Sequence, residues 1–432
     1  MAWRRRILGV TVAALGLAAA GACGDGGGEG GAGGSGGGGD GPCGPGVATT
    51  GADSCDLFFT ASGSDDTEAV QTGLIEAQSG QTLCFCPGSY QFNKELSLTV
   101  PDITLKGVGE SREDAVLDFA SQTVGDDGLT VTSDGFTAEN LWVKNSPGNG
   151  IVVTGADGVI FRNLKVSWDA GSVTENGAYA VYPVKSKNVL IEDSEIIGAA
   201  DAGVYVGQCD NALVRNNDVH GNVAGIEIEN TTAAEVVNNK AYDNAAGILV
   251  FVLPNLEKKD GMGCKVHDNE VYDNNRDNFA EEGTVVASVP SGTGMLILAS
   301  DAQEVHDNDI HDNESVGMLI VSHDTLGVLI TGFMPDPETD GYPEGTYIHD
   351  NTFTNNGTAP QGAASFLGIT PLEDVVWDGV EVSPGSGALC FGASPPSFRN
   401  FGGLAGISDP NVHSTDTSPH TCTGQTQPTI DL

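Results

Sequence analysis

The chain has 432 residues, of which 39% are apolar and 6% are aromatic, so it is long enough to bury a sizeable core. Its formal net charge is −41 at pH 7, and a field of that sign repels nucleic acids and anionic lipid surfaces. The composition therefore excludes nucleic acid as a partner and favours a solvated acidic surface.

The first 22 residues have the three parts of a secretory signal. Three consecutive arginines at 4–6 are followed by an apolar stretch over 7–20, which is too short to span a bilayer as a stable helix. Small residues over 20–22 then precede Cys23. We predict that residues 1–22 are a signal peptide and that the protein is exported.

The segment before Cys23 resembles a bacterial lipoprotein signal. The resemblance implies that Cys23 is lipidated and anchors the protein to the cell envelope, at the outer membrane or the cell surface. Ala20 stands where such signals usually carry leucine, so ordinary signal-peptidase cleavage with simple secretion stays open, as does a twin-arginine signal. Residues 23–50 are rich in glycine and are predicted to form a flexible tether, which favours the lipoprotein.

Eight cysteines remain after Cys23, and an even number in an exported chain predicts disulfides. Cys84 and Cys86 are expected on one strand, where they run too parallel to bond each other. Cys390 and Cys422 both lie in the C-terminal tail and form the best single pair, while the other pairings stay open. No C-x-x-C spacing occurs, so we assign no metal to the cysteines.

Residues 51–110 are predicted to form an N-terminal cap with a helix and the first coil of a repeat. The stretch over 63–70 reads GSDDTEAV. Ser64 can cap a helix of about four turns there, and the acidic residues that follow suit its first turn.

A short motif with Asn or Asp at one marker position recurs from residue 136 onward. The shortest spacings between markers are 22 and 23 residues, which gives the coil length, and longer spacings contain insertions. The marker positions are Asn140, Asn163, Asp193, Asn216, Asn238, Asp268, Asp307 and Asp350.

Each marker is followed by a second short strand that opens with glycine, as at Gly203 and Gly225. Such short alternating segments predict β-structure, and a coil of this length buries its apolar side only by stacking on other coils. We therefore predict an all-β, single-stranded parallel β-helix. Its coils cover 111–365, and a last coil with a C-terminal cap covers 366–432.

A second column stands six residues after the markers and contains only asparagine: Asn222, Asn244, Asn274, Asn313 and Asn356. Stacked coils would place these side chains about 4.8 Å apart, where amides can bond to their copies above and below. Buried carboxylates would repel each other. The mixed Asn/Asp marker column is therefore predicted on a wet turn, and the all-Asn column is predicted to be an interior ladder.

The motifs DDTEAVQ over 65–71, PGSY over 87–90 and ITLKGVG over 103–109 follow one another in the N-terminal part. Together they resemble the entry to right-handed parallel β-helix proteins of the pectate-lyase-like superfamily. Over about 60–360 the chain is most similar to an uncharacterised family of exported bacterial lipoprotein-type β-helix proteins. The catalytic motifs of polygalacturonases, alginate epimerases and calcium pectate lyases are not found, so the resemblance implies the fold and no activity.

Insertions near 168–177 and 276–292 precede a glycine-opened strand, and those near 251–262 and 324–345 follow one. Loops on both sides of one sheet predict a trough, the usual place for function on a rigid scaffold. Alternation places apolar residues on the later part of its floor, which the apolar insertions should cover. The earlier part is predicted to be polar and open.

The candidate catalytic residues in this polar section are Tyr182, Tyr205, Glu227 and Glu229, and the candidate substrate-binding residues are Asp201, Gln208, Lys185 and Arg215. Paired carboxylates on one strand face suit glycoside hydrolysis. Tyrosines beside basic residues would suit the proton transfers of a lyase or an epimerase. An ordinary solvated strand, and carbohydrate binding without turnover, remain open alternatives.

A column of histidines, His267, His306 and His349, precedes three acidic markers and could hold a metal, although recurrence in a repeat is more often inherited than functional. We assign no metal ligand and keep calcium as the one candidate cofactor. The leading hypothesis is an envelope-anchored β-helix that interacts with polysaccharide. The alternative is a non-catalytic scaffold or assembly partner for another envelope protein.

Overall fold

The strands of the computed structural model form three parallel sheets, because each complete coil contributes one strand to each sheet in turn. The structure describes residues 41–365, 368–383, 385, 387 and 389–432. Neighbouring strands within a sheet come from successive coils, so the sheets run along the length of the solenoid. The prediction of a parallel β-helix is confirmed.

Sheet 1 has twelve strands: Leu57–Phe59, Thr82–Phe85, Thr104–Gly107, Thr137–Glu139, Asp157–Arg162, Lys187–Glu192, Asp210–Arg215, Thr232–Val237, Lys265–His267, Glu304–His306, Thr346–His349 and Leu389–Phe391. Sheet 2 has ten: Gly88–Gln91, Ala115–Asp118, Trp142–Lys144, Lys165–Ser167, Glu195–Ile197, Asp218–His220, Lys240–Tyr242, Glu270–Tyr272, Asp309–His311 and Thr352–Thr354. Sheet 3 has eleven: Lys94–Leu98, Val124–Val131, Ile151–Thr154, Tyr179–Val184, Ala202–Gly207, Ala224–Glu229, Ala246–Phe251, Thr293–Leu298, Val316–Val321, Val375–Trp377 and Phe398–Asn400.

The helices lie at the ends of the solenoid and in the insertions. The α-helices are Thr67–Glu76, His323–Leu329 and Gly362–Ser365, and the 3-10 helices are Ala52–Ser54, Val286–Ser288, Leu404–Ile407, Pro410–Val412 and Ser418–His420.

The first helix begins two residues later than predicted, and Ser64 does not cap it. Asp66 is the N-cap residue, and the Asp65 carboxylate accepts hydrogen bonds from the backbone N–H and the hydroxyl of Thr67 at 3.1 and 2.6 Å. The Asp66 carboxylate accepts the backbone N–H of Gln91 in the first coil at 3.1 Å. These hydrogen bonds fix the chain before Thr67 to the first coil, and they compete with an earlier start of the helix.

The predicted interior ladder is confirmed. Each amide Nδ2 donates to the Oδ1 of the next asparagine along the solenoid, at 3.0 to 3.1 Å. Four of the five asparagines are fully buried, and Asn356 at the end of the column is 5% exposed. The same Oδ1 atoms also accept backbone N–H groups, as from Asn222 to Asn244 at 2.9 Å. The ladder therefore satisfies buried polar groups that the turn would otherwise leave unpaired.

A second asparagine ladder was missed in the sequence. It stands directly after the marker positions, where Asn217, Asn239, Asn269 and Asn308 are each at most 2% exposed. Their amides bond to the next copy at 2.8 to 3.0 Å, and the series ends on Asn351. The sequence signal for this ladder was the pair of consecutive asparagines in some repeats, in which the first residue is the marker and the second belongs to the ladder.

The marker residues lie on the predicted wet turn between sheets 1 and 2. All eight have a left-handed backbone, with φ between 49° and 56°, a conformation that Asn and Asp tolerate better than most residues. Asp193 and the later markers are exposed. The marker residues therefore recur because each turn needs a left-handed backbone at that position. The asparagine directly after the later markers points into the core.

Three disulfides connect Cys43 with Cys86, Cys55 with Cys84, and Cys390 with Cys422. The predicted C-terminal pair is confirmed, and Cys84 and Cys86 each bond a cysteine from the preceding segment. Disulfides of this kind are typical of exported proteins. Cys43 belongs to the segment that was assigned to the tether, so the end of that segment is tied to the first coil.

The predicted signal peptide and Cys23 lie outside the described residues. Within the described part of the chain, no helix combines the length and the apolar character needed to cross a bilayer.

Replacing Asn244 by alanine should lower the free energy of unfolding by about 3 kcal/mol, because buried partners on both neighbouring coils lose their hydrogen bonds. Urea unfolding followed by circular dichroism measures the change. The control is Asn238→Gly, at an exposed marker with φ of 54°. Glycine suits that backbone, so the control should stay within about 0.5 kcal/mol of the parent. Equal losses in both variants would contradict the ladder's role.

Candidate functional site

The outer face of sheet 3 forms the floor of the predicted trough. Strand register places Tyr205 opposite Glu227 and Gly207 opposite Glu229. On the next strand, Leu249 and Phe251 stand opposite the two glutamates. The alternation read from the sequence therefore assigned these floor positions to the correct face.

The insertions rise in two pairs on either side of this floor. On one side, the Thr174 hydroxyl donates to the Phe279 carbonyl at 2.8 Å, which joins the insertions near 168–177 and 276–292. On the other side, Lys259 pairs with Asp336 at 2.6 Å, which joins the insertions near 251–262 and 324–345. Each wall of the trough is thus made of two loops from different coils.

The apolar part of the floor is covered, as predicted. Val286 and Leu326 from two insertions pack in one buried cluster with Leu249, Leu296 and Leu298 of sheet 3. This cover removes from water a row of side chains that would otherwise be exposed on the sheet face.

The polar part of the floor is covered too, which corrects the prediction of an open section. Glu227 is 3% exposed and Glu229 is 5% exposed. Both line a cavity of about 200 Å³ between sheet 3 and the segment 284–289 of an insertion. The prediction was wrong because alternation shows which way a side chain points, and the path of the loop decides whether water reaches it.

Within the described part of the chain, the carboxylates of Glu227 and Glu229 accept no hydrogen bond. The other buried glutamates all have partners. Glu192 pairs with two arginines, Glu235 with His267 and a backbone N–H, and Glu304 with His349 and a backbone N–H. Buried polar groups are normally paired, so the two glutamates differ from the other buried ones in meeting the cavity instead of a protein partner.

Asp201 and three tyrosines complete the site. The Tyr179 hydroxyl donates to Asp201 at 3.2 Å. The ring of Tyr205 lies 4.4 Å from that of Tyr179 and 4.9 Å from that of Tyr182, centroid to centroid. Tyr179, Tyr205 and Asp201 line the cavity together with the two glutamates.

The sequence analysis did not include Tyr179 in the site. Tyr179 stands three residues before Tyr182, and regular alternation would place it on the opposite face of the sheet. Ala202, Ala224 and Ala246 occupy the equivalent position on the next strands, and they pack in the same outer cluster. The strands therefore do not alternate regularly at the glycine position. The alanine that precedes the glycine on each of these strands was the sequence signal that this position also lies on the outer face.

The structure does not bring three predicted binding residues into the cavity. Arg215 lies on sheet 1 and donates to Glu192 at 2.7 Å. Lys185 and Gln208 lie in the turns after their strands, where Lys185 pairs with Glu257 and Gln208 accepts the backbone N–H of Lys258 at 3.1 Å. Lys185 and Gln208 thus hold the insertion near 251–262. Because they follow the ends of their strands, they lie away from the middle of the floor.

Residues 127–275 match the model of a protein family described as a right-handed β-helix region. Among solved structures, the A-module of Azotobacter vinelandii mannuronan C-5 epimerase AlgE6 is 18% identical over 78% of this chain and 89% of that module, with a TM-score of 0.54. The corresponding AlgE4 module is 15% identical over 78% and 94%, with a TM-score of 0.52. An alginate lyase from Paenibacillus sp. is 15% identical over 71% and 98%, with a TM-score of 0.42.

The chain is a right-handed parallel β-helix. The fold and the right-handedness predicted from the sequence are confirmed. At these identities the likeness concerns the fold alone.

Burial dominates the electrostatics of the site in this β-helix. It raises the pKa of Glu229 to about 8 and that of Glu227 well above its usual range, and the neighbouring Asp201 charge adds to both shifts. Burial also raises the pKa of Asp201 to about 7, against the opposing effect of the Tyr179 hydrogen bond. Glu227 and Glu229 therefore hold protons near neutral pH, and Asp201 is partly protonated there.

The tyrosines are poor bases in this setting. Burial, followed by the Glu229 charge, raises the pKa of Tyr182 to about 12. Burial and the Asp201 charge raise the pKa of Tyr179 well above its usual value. A phenolate at either position would place a further anion near the carboxyl groups of Asp201 and Glu229.

The histidine column of the β-helix is a stacked array on sheet 1. The ring centroids of His267, His306 and His349 are 4.8 and 4.9 Å apart with nearly parallel planes. Each Nδ1 hydrogen-bonds the acidic marker that follows it, at 2.7 to 2.8 Å. Parallel rings whose Nδ1 atoms are already bonded do not converge on a metal ion.

A separate acidic group lies at the end of one wall. Among the described residues, one group of three possible metal ligands has its atoms within 4.8 Å of one another, namely Asp301, Asp340 and Glu344. Burial raises the pKa of Asp301 to about 6. Calcium, the cofactor considered from the sequence, remains a prediction, and this is where the carboxylates would suit it.

The stability of the β-helix should fall as pH rises between about 4.5 and 8, because Glu229 keeps its proton in the folded state and loses it in the unfolded chain. Replacing Glu229 by glutamine removes this contribution. The variant should gain roughly 4 kcal/mol relative to the parent between pH 4.5 and 8.5 as an upper bound. Denaturant unfolding at both pH values measures it. Exposed Glu68 supplies the control, Glu68→Gln, and identical pH dependence in all three proteins would contradict the assignment.

Proposed function

We propose that the cavity over sheet 3 binds a sugar residue of a polysaccharide and that its carboxyl groups support glycoside hydrolysis. The observation that carries the proposal is the pair Glu227 and Glu229, which are buried, face the cavity and accept no hydrogen bond from the described residues. Sugar hydroxyls are donors that carboxylates can accept, and the rings of Tyr179 and Tyr205 offer apolar faces for a sugar ring.

Hydrolysis fits the site better than lyase or epimerase chemistry. A glycosidase needs one protonated carboxyl group as acid and a second, ionised one as base or nucleophile. The pKa of Glu229, raised to about 8, favours a proton on the acid near neutral pH, while that of Asp201, raised to about 7, leaves this group partly ionised as the second partner. A lyase or an epimerase needs a base for a sugar C–H proton. The raised pKa values of Tyr179 and Tyr182 disfavour both tyrosines in that role.

The cavity is too small to admit a polysaccharide unless part of its wall moves. At about 200 Å³ it is smaller than the usual range for ligand pockets. The segment 284–289 forms its roof and is held by Asn278, whose Nδ2 donates to the carbonyls of Val286 and Val289 at 2.9 and 3.0 Å. We propose that this segment moves outward when a polysaccharide enters.

The mannuronan C-5 epimerase modules share this fold, and their name describes an activity on mannuronan, a polysaccharide. This supports a saccharide polymer as the class of ligand, while the reaction is argued from the cavity. We further propose that the protein acts at the cell envelope, with Cys23 as its lipid anchor, because its disulfides suit an exported protein.

The hydrolysis proposal predicts new reducing ends, without unsaturated ends, when the protein is incubated with a panel of bacterial and plant polysaccharides. Glu229→Gln should lower the rate by about 10² to 10⁴-fold, because it removes a general acid. Glu68→Gln should retain full activity. Unsaturated ends would favour a lyase, and the absence of both cleavage and binding would favour the scaffold.

The anchoring proposal predicts that the protein takes up labelled palmitate when it is expressed in a bacterium and that Cys23→Ser abolishes the label. The variant should also leave the membrane fraction, because the acyl chains supply the anchor. Labelling that persists in Cys23→Ser would contradict this site.

A further inference from the structure

We infer that the sugar residue bound in the cavity carries a free ammonium group, so that the substrate class is an amino sugar in place of a neutral sugar or a uronate. This inference rests on the proposed function and goes beyond it. It follows from the charges that face the cavity and from the lack of any counter-charge among the described residues.

The cavity has acidic groups and no basic group among its described lining residues. Three carboxyl groups, from Asp201, Glu227 and Glu229, line it. The remaining walls are apolar apart from the hydroxyls of Tyr179, Tyr205 and Thr284, and the roof contributes mainly valines. A uronate would add a fourth carboxylate to this space, which like-charge repulsion and burial both disfavour.

A neutral sugar would offer the carboxyl groups of the cavity no counter-charge. Its hydroxyls can donate to the glutamates, but a buried carboxylate is stabilised most by a cation that also donates hydrogen bonds. Elsewhere in this chain, buried Glu192 receives two arginines and buried Glu235 receives a histidine. An ammonium group on the ligand would supply at Glu227 and Glu229 what side chains supply at those positions.

A bare metal ion fits less well than an ammonium group. Among the described residues, the ligand atoms of Asp201, Glu227 and Glu229 do not form a group within 4.8 Å of one another, whereas those of Asp301, Asp340 and Glu344 do. The carboxyl groups of the cavity are thus spread over its wall, as suits a larger organic cation. The rings of Tyr179 and Tyr205 beside them can also attract a cation through their faces.

Binding of such a ligand should depend on pH. The titratable groups that line the cavity are Tyr179, Asp201, Tyr205, Glu227 and Glu229. The ring of Tyr182 packs against that of Tyr205. The raised pKa values of Asp201 and Glu229 mean that the carboxyl groups are largely neutral at pH 5. An ammonium ligand should therefore bind better at pH 7 than at pH 5 and release protons as it binds.

The test uses the purified full chain on an array of oligosaccharides in matched pairs, with free and with N-acetylated amino groups, together with oligouronates of equal length. Calorimetry on the bound members then gives affinities at pH 7 and pH 5. We expect the free-amine member to bind at least tenfold more tightly than its N-acetylated partner at pH 7, with a smaller ratio at pH 5. Calorimetry in buffers of different ionisation enthalpy should show the proton release.

The double variant Glu227→Gln/Glu229→Gln should lose this preference and still bind the N-acetylated member, and circular dichroism confirms its fold. The control Glu68→Gln should behave as the parent. The inference would be overturned by equal binding of both members, by tighter binding of uronates, or by binding of calcium alone in the cavity. In these cases the array still shows whether the protein binds carbohydrate, as the proposed function requires. No binding of any saccharide would overturn the proposed function itself.

Discussion

The stacking of side-chain amides is the interaction on which the rest of the molecule depends. Two columns of asparagines run through the turns on both sides of sheet 2, and each amide bonds to the coil above and the coil below it. An amide is both donor and acceptor, so a column of identical residues can pair without limit along the solenoid. This keeps successive coils in register over the part that carries the site.

Register in turn creates the functional surface. Because equivalent residues of successive coils lie side by side, Tyr205, Glu227 and Leu249 become neighbours although they are 22 residues apart in sequence. The floor is fixed by the strand register, so the shape of the cavity depends on the insertions. These pair with one another and close over the floor. The cavity is thus a product of a regular part that fixes positions and an irregular part that excludes water.

The carboxyl groups of the cavity are held at a cost to stability, which the ladder and the continuous apolar core offset. Glu227 and Glu229 differ from every other buried glutamate of the described chain in having no partner. A group that is unpaired in the free protein and paired in a complex contributes to binding more than a group that is already satisfied. This contrast between the free glutamates and the paired ones at Glu192, Glu235 and Glu304 directs attention to the cavity.

The sequence by itself determined the parallel β-helix, the interior asparagine column, the wet marker turn and the face of sheet 3 on which Tyr205 and Glu227 lie. These features are local or periodic, since turn conformation and strand alternation are written within each coil. Only the tertiary structure decided that Glu227 and Glu229 are buried, that Tyr179 joins them and that Arg215 belongs to another sheet. The cover over the glutamates comes from Val286 and its neighbours, more than fifty residues further along the chain. The path of such an insertion has no period, and no pattern within a coil specifies where it lies.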